Sequence, residues 1–141
     1  MGDPKIDALK KVPLFSHCGD AELRFVATQA DEISVEAGHT LIRQGDPSDT
    51  FYVLLDGAVD VTIDGKLRRT LGAGDFFGEI GMLDRGPGTA TCATKTACQF
   101  MVMSHPQFRD AIKGNPDLLS GVLQAMAQRL RADSMDRLTS S

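Results

Sequence analysis

The sequence predicts a mainly β domain, built as a jelly-roll β-barrel with α-helices at both ends. Short strand-like runs separated by glycine-containing turns fill the middle of the chain, and helical periodicity is confined to the segments before and after them. Such a run of short strands is typical of barrels and jelly rolls. We therefore expect one domain over residues 1–141, with an N-terminal helical segment over 1–31, a barrel over 32–104 and C-terminal hinge and lid helices over 105–138.

Helical spacing marks the N-terminal zone. Four apolar residues recur with the i, i+3, i+4, i+7 spacing of one helix face. They are Leu23, Val26, Ala27 and Ala30. Gly19 or Asp20 is the predicted cap of this helix.

The middle zone contains six strand-like runs, each bounded by turn residues. In chain order they are Ile33–Val35, Thr40–Arg43, Phe51–Leu55, Val59–Ile63, Leu67–Leu71 and Cys98–Met103. The Asp64-Gly65 pair between the fourth and fifth runs is a strong signal for a two-residue hairpin turn.

Two helices are predicted at the C-terminal end. His105-Pro106 opens a short helix that Gly114 ends, and Asn115 caps a longer one. The apolar seam of the longer helix has heptad spacing. Its members are Leu119, Leu123, Met126 and Leu130. Because this seam is shorter than the three to four heptads of a stable coiled coil, we expect the helix to act as a mobile lid on its own barrel, and any homodimer through it to be weak.

Composition restricts the class of function. Lys and Arg total 15 against 19 Asp and Glu, for a formal net charge of −4. An acidic chain is a poor candidate for nucleic-acid binding, so we expect no direct contact with DNA. The three cysteines form no CxxC pair, which indicates free thiols in a reducing cytoplasm. No apolar run reaches the ~18 residues of a membrane helix, so no membrane contact is expected either.

The segment from Gly74 to Thr91 interrupts the strand pattern with a loop and a short helix. Gly78 and Gly81 allow the backbone to approach another molecule closely, and free N–H groups at a helix N-terminus would form an anion site. The carboxylate of Glu79 does not favour a bare phosphate, but it accepts hydrogen bonds from a sugar hydroxyl. A phosphate beside a sugar hydroxyl indicates a nucleotide.

These residues resemble the phosphate-binding cassette of the cyclic nucleotide-binding domain family. Residues 77–83, Phe-Gly-Glu-Ile-Gly-Met-Leu, match its first half, and residues 87–91, Pro-Gly-Thr-Ala-Thr, match its second half with one departure. The resemblance extends from about Val12 to Leu130. It implies a non-enzymatic sensor that binds cAMP or cGMP as a ligand, without a cofactor or metal, and moves its C-terminal helix on binding. An effector protein or domain is implied but not identified.

The resemblance also implies roles for individual residues. Backbone N–H groups near Gly78, Ile80 and Gly81 would bind the cyclic phosphate, and Glu79 would bind the ribose 2′-hydroxyl. Thr89 follows the position of the family arginine, where a threonine tends to accompany guanine binding in relatives, so both cGMP and cAMP stay candidate ligands. The residues implied to contact the ligand are Phe77, Gly78, Glu79, Ile80, Gly81, Met82, Arg85, Gly88, Thr89 and Ala90.

The departure from the family pattern is Gly88, which stands where the family has an arginine that pairs with the phosphate. Charge-assisted hydrogen bonds are about twice as strong as neutral ones. Residues 30–84 also carry 11 acidic and 4 basic side chains, a balance that disfavours an anion. Two hypotheses stay open. In the first, the chain is a sensor, with Arg85 as the candidate replacement cation. In the second, it is a degenerate domain with little or no cyclic nucleotide affinity that acts as an interaction or regulatory module.

A metal-dependent enzyme of the cupin type shares the jelly roll but is disfavoured. Such a site needs at least two histidines and a carboxylate converging inside the barrel. The three histidines lie in separate zones, and only His39 lies among the predicted strands. No nucleophile-elbow or dinucleotide-binding motif occurs, so no catalytic residue is predicted.

Overall fold

The computed structural model describes residues 4–12, 15, 18–78, 89–121, 123–124, 127–128 and 131. The helices with defined bounds within this part are α1 (Pro4–Lys10), α2 (Asp20–Gln29) and α3 (His105–Gly114). The strands within it are β1 (Asp31–Val35), β2 (Thr40–Ile42), β3 (Thr50–Asp56), β4 (Val59–Ile63), β5 (Lys66–Leu71), β6 (Phe76–Phe77), β7 (Thr91–Thr94) and β8 (Cys98–Ser104). Residues 116–121 are also helical and are separated from α3 by Asn115 alone.

The strands form two four-stranded antiparallel sheets, which confirms the predicted mainly β jelly roll with flanking helices. The first sheet has the order β1-β8-β3-β6, and the second has the order β2-β7-β4-β5. Most neighbours are distant along the chain; β1, for example, pairs with β8 from Asp31↔Val102 to Val35↔Cys98. Residues far apart in sequence therefore meet across each sheet.

The first sheet separates two hydrophobic cores. Because side chains alternate along a strand, Phe51 and Val53 of β3 pack with the helices, whereas Tyr52 and Leu54 face the second sheet. We call the space between the two sheets the interior of the roll. The buried side chains that fill it are Ile42, Leu54, Val59, Leu71, Phe77, Cys92, Cys98 and Phe100.

All six predicted strand-like runs form strands, with bounds shifted by two residues or fewer. The predicted hairpin is confirmed, because β4 and β5 pair in antiparallel register on either side of Asp64-Gly65. Both turn residues have positive φ, 53° for Asp64 and 78° for Gly65, as a type I′ turn requires. The interpretation of residues 74–91 as loop and short helix is wrong at Phe76–Phe77, which form β6, and at Thr91, where β7 begins. The predicted short helix itself lies outside the described residues.

The helix ends show one departure from prediction. Gly19 precedes α2 as predicted, and its N–H donates to the Glu22 carboxylate. Asn115, in contrast, does not cap the following helix with its side chain. Its Nδ2 donates to the Ala111 carbonyl at 3.0 Å, and its buried Oδ1 has no hydrogen-bond partner among the described residues. The Asn115 side chain therefore closes the end of α3.

The start of the predicted lid helix is anchored by Leu118, which is fully buried in the core between the helices and the first sheet. Of the predicted seam, Leu119 is half-buried and Leu123 is 52% exposed. Met126 and Leu130 lie outside the described residues. No helix in the described part of the chain is both long enough and apolar enough to cross a membrane.

Candidate functional site

The structure describes four of the ten predicted ligand contacts. Phe77 and Gly78 lie at the end of β6 in the first sheet, and Thr89 and Ala90 lead into β7 in the second. The segment between them thus leaves one sheet and returns in the other. Six predicted contacts lie outside the described residues. They are Glu79, Ile80, Gly81, Met82, Arg85 and Gly88.

Ile42 brings the two ends of this segment together. It pairs with Cys92, the second residue of β7. A Cβ built at Gly78 would lie 3.5 Å from Ile42 Cδ1. The end of β6 and the start of β7 therefore meet around one buried side chain that the sequence motif does not include.

Gly78 is required by the fold as well as by the predicted ligand contact. Its φ is +88°, a conformation that side chains of L-residues rarely adopt. A Cβ at this position would also collide with the backbone carbonyl oxygen of Thr50 in β3. The tight passage of Gly78 past β3 thus defines where the following segment begins.

Phe77 belongs to an aromatic cluster inside the roll. Its ring stacks on Tyr52 with centroids 4.7 Å apart and an interplanar angle of 8°. It also meets the edge of Phe100 at 5.9 Å. Because Phe77 is only 4% exposed, it positions β6 on β3 and presents little surface to a ligand.

Tyr52 connects this cluster to a cleft of about 260 Å³ beside β2 and the β2–β3 loop. The residues lining the cleft are Thr40, Leu41, Ile42, Arg43, Asp46, Pro47, Ser48, Asp49, Thr50 and Tyr52. Burial raises the pKa of the Tyr52 phenol, and the nearby Asp49 and Cys92 raise it further, against a smaller lowering by a hydrogen bond with Thr50. The phenol is therefore neutral near pH 7 and available as a hydrogen-bond donor.

Gln44 holds three connections together at this end of the roll. Its backbone N–H donates to Thr91 Oγ1 at 3.0 Å, at the start of β7. Its side-chain amide donates to Asp64 Oδ1 at 3.0 Å and accepts from the Asp64 N–H at 2.8 Å. Sequence reasoning missed Gln44, because nothing local indicates that the β2–β3 loop, the β4–β5 turn and β7 meet.

Arg69 places a cationic side chain on the inner face of the second sheet. The register pairs Arg69 with Val61, and Val61 with Cys92 on its other side. The neighbouring residue Thr70 lies on the opposite, outer face, where its Oγ1 donates to Asp60 Oδ1 at 2.8 Å. Arg69 is accordingly half-buried. Sequence reasoning named Arg85, and not Arg69, as the candidate replacement cation. The signal for Arg69 was its spacing of two from the apolar Leu71.

Comparison of the chain with known proteins identifies a family and several relatives. A family model described as "Cyclic nucleotide-binding domain" matches residues 32–115. The cAMP-activated global transcriptional regulator CRP of Salmonella typhimurium is 39% identical over 101 residues, which cover 67% of this chain and 48% of that protein. The chain thus spans about half the length of this curated relative.

Two similar solved structures are regulatory domains of protein kinase A. One, described as "Sp-2Cl-cAMPS bound to PKAR CBD2", has a TM-score of 0.78 and 26% identity, and the match covers 91% of this chain and 88% of that one. The other is the regulatory subunit of a cAMP-independent protein kinase A from Trypanosoma brucei. Its TM-score is 0.78 and its identity 25%, with 87% of this chain and 44% of that one covered.

These relatives overturn one prediction. The expectation of no direct DNA contact is wrong, because the curated relatives are transcriptional regulators. The expectation relied on a net charge of −4 summed over the chain. Nucleic-acid contact depends on how charge is distributed over a surface, and a net sum does not report that distribution.

Proposed function

Because this chain belongs to the cyclic nucleotide-binding domain family, we propose that it binds cAMP or cGMP in the roll, where the end of β6 approaches the start of β7, as a non-enzymatic sensor. The observation that carries the proposal is the meeting of Gly78 and β7 around Ile42. A segment anchored at both ends on two sheets can present its backbone N–H groups to an anion at little entropic cost.

Within this proposal, each predicted contact has a chemical role. The backbone near Gly78, Ile80 and Gly81 binds the cyclic phosphate, and Glu79 accepts the hydrogen bond of the ribose 2′-hydroxyl. Ala90 is half-buried and directly precedes β7, at the end of the segment that carries the predicted contacts. A cytoplasmic location fits the three free cysteines, of which two are buried.

The proposal is tested by titrating the purified chain with cAMP and with cGMP in a calorimeter. Saturable heat with either nucleotide is the expected result, and 5′-AMP, which has the same base and sugar but no cyclic phosphate, is the control ligand. The absence of binding to both cyclic nucleotides at the highest soluble concentration would overturn the proposal.

A second candidate function rests on Gly88. The chain lacks the arginine of the family cassette at this position, and a domain of the same fold occurs in a protein kinase A described as cAMP-independent. If this second function is correct, the roll of the present chain binds no cyclic nucleotide and serves as an interaction or regulatory module. The same titration separates the two functions.

A further inference from the structure

A cyclic phosphate in this roll needs a positive charge that Gly88 does not provide. The surroundings are acidic, with 11 acidic and 4 basic side chains over residues 30–84. Backbone N–H groups contribute only partial charges, and the acidic side chains of the same segment repel an anion. A cation on the inner face of the roll would offset both effects.

The four basic residues of this segment differ in exposure. Arg43, Lys66 and Arg68 are exposed, whereas Arg69 is half-buried. Resting on the proposed function, we infer that Arg69 supplies the positive charge that binds the cyclic phosphate, in place of the arginine missing at position 88.

The sheet register brings Arg69 near the start of β7, where the segment with the predicted phosphate contacts ends. Arg69, Val61 and Cys92 form one row across β5, β4 and β7. Adjacent strands lie about 4.8 Å apart, so the Arg69 Cα is about 10 Å from that of Cys92. The methylene stem of arginine can lie along an apolar neighbour while its charged end extends beyond it. With its stem laid over Val61, the guanidinium would reach toward β7, which the chain enters through Thr89 and Ala90.

The chemistry of arginine suits this role. Arg69 lies on the edge strand β5, across from Val61 and two residues from Leu71, so a charged side chain adjoins apolar neighbours of the inner face. Burying a charge is costly unless it has partners. Arg69 already makes an interaction within the chain. The guanidinium has five N–H donors arranged to bind phosphate oxygens in pairs, so it can hold an anion and keep that interaction.

Arg68 offers a matched control, since it is an adjacent, exposed arginine on the same strand. We compare Arg69→Gln with Arg68→Gln by calorimetry, using whichever of cAMP and cGMP binds the wild type. Loss of a charge-assisted contact should weaken binding about ten- to a hundredfold in Arg69→Gln. Arg68→Gln should bind as the wild type does. Arg69→Met, which keeps the apolar stem, is the second variant if Arg69→Gln does not fold.

A salt series distinguishes a charge contact from a purely structural effect. Wild-type affinity should fall with ionic strength, and the fall should be smaller in the folded Arg69 variant. Wild-type affinity in that variant, or a comparable loss confined to Arg85→Gln, would overturn the inference while leaving the proposed function intact. Failure of the wild type to bind either nucleotide would overturn both.

Discussion

Replacing Gly78 by alanine tests whether the passage of β6 past β3 determines the geometry of the candidate site. Two costs arise from the structure. The φ of +88° at Gly78 places an alanine in the left-handed region, at about 1–2 kcal/mol. The new Cβ also meets the Thr50 carbonyl oxygen, and relieving such overpacking costs about 1–3 kcal/mol. We therefore expect Gly78→Ala to lower the free energy of unfolding by about 2–5 kcal/mol.

Gly45→Ala is the matched control for this variant. Gly45 has a φ of +89°, and a Cβ there would have nothing within 4 Å. Alanine at position 45 should therefore cost only the conformational part, about 1–2 kcal/mol. The difference between the two variants isolates the contact with β3.

The assay is urea unfolding followed by far-UV circular dichroism, with the nucleotide titration repeated on both variants. Because the backbone must shift at Gly78 to admit a methyl group, cyclic nucleotide affinity should fall further in Gly78→Ala than in Gly45→Ala. Equal unfolding free energies in the two variants would refute the reasoning, since the contact with Thr50 would then contribute nothing.

Three other predictions concern the ligand, the interior and the terminal helix. Glu79→Ala should weaken cAMP binding by about 1–3 kcal/mol and 2′-deoxy-cAMP binding much less, because the lost acceptor serves the 2′-hydroxyl; equal losses in calorimetry would remove Glu79 from this role. Tyr52 is the single tyrosine, so ultraviolet titration should show its phenol ionising above the ordinary pKa of 10.0. Since the pKa of Tyr52 is raised in the folded state, its contribution to the free energy of unfolding is present below pH 10.0 and is lost as pH rises through the folded-state pKa. Ionisation of Tyr52 at the ordinary pKa would contradict this prediction. Spectroscopic labels at the exposed positions Lys95 and Leu123 should change their separation when nucleotide saturates the chain. The reason is that a ligand shifts the equilibrium between two helix positions by as much as its affinities for the two states differ. An unchanged separation with bound ligand would contradict the lid.

Sequence patterns predicted those elements whose conformation depends on neighbouring residues alone. The Asp64-Gly65 turn was predictable because two adjacent residues that tolerate positive φ define the hairpin by themselves. The longer strands were predictable from their apolar residues between turns. Strand β6 was not, because Phe76–Phe77 is a strand only through its pairing with Tyr52 and Val53 of β3. Strand β7 likewise depends on partners in β2 and β4.

The candidate site divides in the same way. The motif over residues 77–91 is contiguous, so the sequence by itself determined the family, while the ligand contacts within this motif stay a prediction. Only the tertiary structure decided that Ile42 joins the ends of the cassette, that Gln44 ties the β4–β5 turn to β7, and that Arg69 lies on the inner face. The physical reason is strand register. A shift of one residue moves a side chain to the opposite face of a sheet, and the register between distant strands depends on packing of the whole roll.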